Sequence, residues 1–251
     1  GEDLSEKEEL RRAYQLAPGA LVEVDGINGS IDVETADSEI AEVLIVRSAN
    51  KREDLQFRQM NIFHQPNRLR IKIEDDRRSV FSAMVNAPDV KQRVMLKVPR
   101  NVRFATNHLN GNLTTGPFDG KVEVNGVNGQ VKIGQSSGEA LFREINGNIE
   151  ATIAKLSDEG IRLSAVNGNT RLRFVGDVNA NIEANGFLGE VRPDLPNVEV
   201  QGSESMVGSY KARIGSGGVR IRIESVNGDV YLEKAGKSNT QEAAKAAAKA
   251  K

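Results

Sequence analysis

The segment Gly134-Gln135-Ser136-Ser137-Gly138 fits G-x-S-x-G, the setting in which hydrolases hold a nucleophilic serine on a strand-to-helix turn. That chemistry needs a base to take the serine proton, normally a histidine later in the chain. The chain has two His, His64 and His108, and both lie upstream. Ser136 is therefore read as a turn residue. His108 stands directly before the Leu109-Asn110-Gly111 turn, and His64 lies in Phe63-His64-Gln65-Pro66-Asn67. Neither has Asp, Glu or His at ligand spacing, so each is read as solvated or locally hydrogen-bonded. Glycosidic chemistry would need two carboxylates facing each other across a cleft. Glu139, Glu144, Glu150 and Asp158 are available, but at outward strand positions they read as a solvated face. Asp75-Asp76 followed by Arg77-Arg78 reads as a mixed charged loop, and a calcium ladder would repeat Asp in register where this chain repeats Asn. Gly215-Ser216-Gly217-Gly218 lacks the Lys-Ser/Thr of a phosphate loop. Arg171, Arg173, Arg220 and Arg222 alternate outward on two strands. They offer either a basic stripe for anionic glycan or lipid headgroups or, since acidic residues intervene, an ordinary charged face. No catalytic, cofactor-binding or metal-ligating residue is assigned, and no cofactor is expected.

Composition narrows the classes further. The chain has 251 residues, 34 Lys+Arg against 35 Asp+Glu, and a net charge of −1, so nothing steers it toward nucleic acid. It has no Cys, hence no disulfide, no thiolate metal site and no cysteine nucleophile. It has no Trp and 4% aromatic residues, which argues against a sugar-stacking platform. No apolar run approaches the roughly 18 residues of a membrane helix. The first residue is Gly1 and not Met. The N-terminus is expected to have been cut, by processing or tag removal, which leaves export open.

The elements that would position any site are short and alternating. Leu21–Val24, Ser30–Thr35, Val43–Val46, Leu69–Ile73 and Arg93–Val98 alternate apolar with polar residues, the pattern of half-buried strands. From residue 107 onward Gly111, Gly120, Gly129, Gly138 and Gly147 stand nine residues apart. A fixed period marks a repeat architecture. One half-repeat is apolar-Asn-Gly-x-apolar: Ile27–Ile31, Leu109–Leu113, Val127–Val131, Ile145–Ile149, Val166–Thr170 and Val226–Val230, with Ala184–Leu188 a degraded copy. The other places Gly before a strand, at Gly120, Gly138, Gly160 and Gly218. A full unit is about 18–21 residues, two strands and two turns.

Asn-Gly between alternating strands is also a hairpin signal. A two-residue hairpin at Asn146-Gly147 would oppose Ile145 to Asn148 and Glu144 to Ile149, mixing apolar and polar residues on each face. A chain that bends at Asn-Gly and continues keeps Ile145 and Ile149 both inward. The expected fold is therefore all-β, a parallel β-solenoid (a right-handed β-helix) with Asn-Gly corner turns and stacked Asn side chains. Residues 1–14 are expected to be a charged lead-in, helical or disordered. Residues 15–106 form an N-terminal β part that continues or caps the solenoid, 107–235 the repeat array, and 236–251 an Ala/Lys-rich tail. The stretch 187–216 breaks the period with two Pro.

Read in order, Pro18-Gly19, Asn28-Gly29-Ser30-Ile31, Val98-Pro99, the tandem Asn-Gly strands, Gly217-Gly218 and Asn227-Gly228-Asp229 resemble the bacterial DUF4097-type adhesin family over residues 15–234. The resemblance implies an exported β-helical domain at the bacterial cell envelope, periplasmic or extracellular, and brings no catalytic residues with it. The function expected is a non-catalytic, adhesin-like surface domain, not an enzyme, that binds protein or glycan through a rigid solenoid face. The alternative is a structural or regulatory partner in envelope-stress signalling. A polysaccharide-acting enzyme ranks third.

Overall fold

Alternation of side chains decides most of the local structure. In the computed structural model, which describes residues 4–75, 88–201 and 208–236, the fold is all-β, 69% strand, with a single 3-10 turn at Arg52–Phe57 among the described residues. The nineteen strands of the described residues belong to one large, nearly closed, barrel-like sheet.

The strands lie in two facing stacks. In the first, β4 (Arg58–Gln65) and β5 (Arg68–Asp75) form an antiparallel hairpin, and β5 runs parallel to the first part of β2 (Leu21–Ala36). Parallel pairing then continues to β7 (Arg103–Phe118), β8 (Val122–Asn128), β10 (Ala140–Asn146), β12 (Ile161–Asn167), β18 (Val219–Asn227) and β14 (Ala180–Asn185). Two antiparallel strands, β17 (Ser209–Ile214) and β16 (Val198–Val200), end this stack. The second stack starts with β1 (Glu6–Gln15) and β3 (Ile40–Ala49), antiparallel to each other, and β6 (Lys91–Pro99), antiparallel to β3. It runs on in parallel through the later parts of β2 and β7 to β9 (Val131–Ser136), β11 (Ile149–Ile153), β13 (Thr170–Phe174), β19 (Val230–Lys234) and β15 (Val191–Asp194).

The Asn-Gly steps are not two-residue hairpins. The strands that flank Asn146-Gly147, β10 and β11, each pair in parallel with strands of other levels. Asn28, Asn110, Asn128, Asn146, Asn167 and Asn227 fall opposite one another in consecutive ladders. Their amides form a column: Asn110 donates to Asn28 at 3.2 Å, Asn146 to Asn128 at 3.3 Å, Asn167 to Asn146 at 3.4 Å and Asn227 to Asn167 at 3.3 Å. The glycine that follows leaves no room for a side chain. A Cβ on Gly147 would stand 1.9 Å from the Gly129 carbonyl oxygen, and Gly147 holds φ at +154°.

A second column explains how both strands of a level face inward. In β10, Ala140 and Phe142 are buried, and strict alternation would bring Glu144 in and turn Ile145 out. Glu144 takes φ 55°, which shifts the phase and buries Ile145. Gly26, His108, Gly126, Ala165 and Ser225 occupy equivalent places in the ladders, and all have left-handed backbone. Val131, Ile145 and Ile149 are buried in one continuous core with Phe104, Phe118 and Phe142. The rings of Phe104 and Phe118 stack at 5.4 Å.

Two features differ from the sequence reading. The charged lead-in is no helix: residues 6–15 form β1, because β3 offers a free edge along its whole length, and Leu10 and Tyr14 pack on the core. The levels also do not follow chain order at the ends. β18 and β19 sit between the β12/β13 level and the β14/β15 level, and β2 sits between β5/β6 and β7. The tail from residue 237, the loop residues Asp76, Arg77 and Arg78, and residues 202–207 of the period-breaking stretch lie outside the described residues.

Candidate functional site

Ser136 ends β9 with its side chain buried, opposite Phe118 on one side and Ile153 on the other. Its Oγ donates to the Gly138 carbonyl oxygen at 3.3 Å. His108 points elsewhere: its ring is 78% exposed and its Nδ1 lies 2.9 Å from Asp25 Oδ1. The two residues therefore make no nucleophile–base pair. Sequence spacing gave no sign of the Asp25–His108 contact, since the residues are 83 apart in the chain and meet only because β2 and β7 are ladder neighbours. His64 Nε2 lies 2.9 Å from the Gln15 carbonyl oxygen, and its ring packs on Tyr14.

The carboxylates are not gathered across a cleft. Glu139 pairs with Lys121 at 3.3 Å, Glu150 with Arg173 at 3.2 Å, Glu144 holds the left-handed bend, and Asp158 stands exposed in a turn. The four arginines do not form one stripe. Arg171 and Arg173 lie on β13 in the second stack, Arg220 and Arg222 on β18 in the first. Arg171 and Arg173 both reach Glu233, at 2.8 and 3.2 Å, and Arg171 lies over the Tyr231 ring at 4.5 Å. Arg222 stands between Arg162 and Glu183 in its ladders. The glycines at 215–218 make a turn held by Asn179, whose Oδ1 accepts from the Ser216 amide at 2.9 Å. Among the described residues no cluster of three or more His, Asp or Glu could hold a metal, and no helix is long and apolar enough to cross a membrane. Burial raises the Tyr210 phenol above its ordinary range where the ring packs on the core from β17.

What the fold builds is a groove on the outer face of the second stack. Its volume is about 850 Å³, and β1, β2, β3 and β6 line it. Alternation along each strand sets its floor. Leu44 on β3 stands opposite Arg11 on β1 and Met95 on β6, and Met95 stands opposite Asp32 on β2. The next row is Ala13, Glu42, Lys97 and Glu34. Leu44 and Met95 are half-buried apolar side chains, with Val46 beside them in the next row and charged residues around them. Arg93 flanks them, 3.6 Å from Asp32. The sequence reading named none of these residues as a site. Outward apolar residues are few on any one strand, and Leu44 and Met95 become neighbours only when β3 and β6 pair.

No protein-family model matches the chain, and no curated protein matches it. Solved structures do resemble it. One is a "putative cell adhesion protein" from Clostridium sporogenes ATCC 15579, 10% identical, with a TM-score of 0.46 over 91% of this chain and 100% of that one. Another is a "putative adhesin" from Parabacteroides merdae ATCC 43184, 12% identical, with a TM-score of 0.27 over 90% of this chain and 96% of that one. A third is a "putative lipid binding protein" from Parabacteroides distasonis ATCC 8503, 10% identical, with a TM-score of 0.23 over 90% and 96%.

Proposed function

We propose that the chain is a parallel β-solenoid with Asn-Gly corners, exported to the bacterial cell envelope, and that it works there as a non-catalytic binding module for a protein partner. The observation that carries the reading is the groove over β1, β2, β3 and β6, with Leu44 and Met95 on its floor and charges of both signs on its flanks. Such a mixture of apolar centre and polar rim suits a protein interface. A glycan would want aromatic platforms, and none lines the groove. The fold reading is supported by the in-register parallel ladders and the Asn column. Stacked backbones fix the spacing of the floor side chains before any partner arrives, which lowers the ordering cost of binding.

The test is retention of envelope proteins on the immobilised full chain, beside the variant Leu44→Glu/Met95→Glu. Both side chains face outward, so the variant should keep the wild-type melting transition. A protein held by the wild type and lost by the variant supports the reading. Equal retention by both, or binding on a glycan array with no protein retained, overturns it.

A further inference from the structure

The two ends of the second stack are finished differently. At one end β15, four residues long, pairs only with β19 among the described residues, and it contains Pro193, which has no amide hydrogen to offer a further strand. At the other end the edge strand is β1, ten residues long, and among the described residues it pairs only with β3. An edge of that length is a template for another strand. Its hydrogen-bonding parity can be read from its end. The Leu16 amide donates to the Glu39 carbonyl oxygen at 2.7 Å, continuing the register in which Gln15 stands opposite Ile40. Alternation then points the backbone groups of Lys7, Glu9, Arg11 and Ala13 away from β3, to the free edge.

We propose that this edge pairs antiparallel with β1 of a second copy of the chain, Leu10 opposite Leu10, to close a two-fold dimer. Charge selects the register. β1 is acidic in its first half, with Glu6, Glu8 and Glu9, and basic in its second, with Arg11 and Arg12. Centring the pair on Leu10 sets Glu9 against Arg11 and Glu8 against Arg12, in each direction by symmetry. A shift by one residue in the centre, to Glu9 or Arg11, sets like charges directly opposite, which is unfavourable. The Leu10 register also joins the amides that point outward and keeps the inner face of one copy continuous with that of the other. It makes about eight backbone hydrogen bonds, two for each bonded pair. Pro193 at the far edge blocks head-to-tail addition, so the assembly closes at two rather than growing into a fibre. Arg12 makes no ion pair among the described residues, its guanidinium donating to the Arg11 carbonyl oxygen, and this contact brings it opposite Glu8, which within its own chain pairs with Arg47.

Glu9 and Arg11, which pair with each other at 2.6 Å within one chain, are the residues to alter, since they face outward and are 50% and 72% exposed. Sedimentation velocity on the full chain, up to about 0.5 mM, should show a species of twice the 27.3 kDa chain mass that dissociates on dilution. Glu9→Arg sets Arg against Arg across the two-fold, and Arg11→Glu sets Glu against Glu. Each variant alone should raise the dimer dissociation constant at least about tenfold. An equimolar mixture of the two variants should recover the dimer, because each copy then supplies the charge the other needs. A wild type that is monomeric throughout, single variants that dimerise as the wild type does, or a mixture that stays monomeric would each overturn the proposal.

Discussion

Asn146 donates a hydrogen bond from its side-chain amide to Asn128 Oδ1 at 3.3 Å, although the two residues are 18 apart in the chain. They meet because β10 and β8 are parallel neighbours in register. The contact is a direct sign of how β8 and β10 sit beside one another, and it can be made covalent.

The chain has no Cys, so an engineered pair reports without interference. Paired residues in neighbouring strands lie about 4.8 Å apart. That is within the span of about 4.4–6.8 Å that a disulfide bridges. The variant Asn128→Cys/Asn146→Cys should form an intramolecular disulfide under oxidising conditions, seen by mass spectrometry. A hairpin arrangement would leave the two thiols free.

Gly147→Ala should be strongly destabilising. The new Cβ would collide with the Gly129 carbonyl oxygen, and backbone cannot swing aside as a flexible side chain can. A loss of about 3 kcal/mol or more is expected by urea denaturation. Asn146→Ala, which removes only exposed amide contacts, should cost about 1 kcal/mol.

Ala165→Gly should act in the opposite sense. Ala165 holds φ 54°, where a side chain is strained and glycine is not. Relief of the strain, less the entropy glycine adds to the unfolded chain, should leave the variant at least as stable as the wild type, by up to about 1 kcal/mol. A clear loss of thermal stability would contradict a strained left-handed backbone at Ala165.

Ile149→Asp places an unpaired charge in the core at a position with no solvent exposure. It should cost about 4 kcal/mol or more, or prevent folding outright. Ser136→Ala should leave the chain folded and change no hydrolytic reading, since the Oγ makes one weak contact and faces no base. Esterase turnover that vanishes in both Ser136→Ala and His108→Ala would restore an enzyme reading.

The inward parity of Ile145 and Ile149 was legible in the sequence, because apolar residues four apart around Asn-Gly leave little choice of face. The column of Asn side chains was legible for the same reason. The left-handed residues were not: His108, Glu144, Ala165 and Ser225 carry no local sign of positive φ, and only their shared place before the Asn-Gly step reveals it. β1 was missed because its residues favour helix or solvent, and the free edge of β3 overrides that preference. The order of levels was missed because alternation and period say which face is inward but not which strand lies next to which. The groove follows from that same long-range order, so no local pattern announces it.

The most direct test of the binding account places a photo-crosslinking benzoylphenylalanine at Leu44, on the groove floor, and separately at Leu141, on the outer face of β10. Each intact chain is irradiated with envelope extract, and adducts are resolved by mass spectrometry. The account predicts one discrete protein adduct at position 44 and none at position 141. No protein adduct at 44, or the same adducts at both positions, would contradict it.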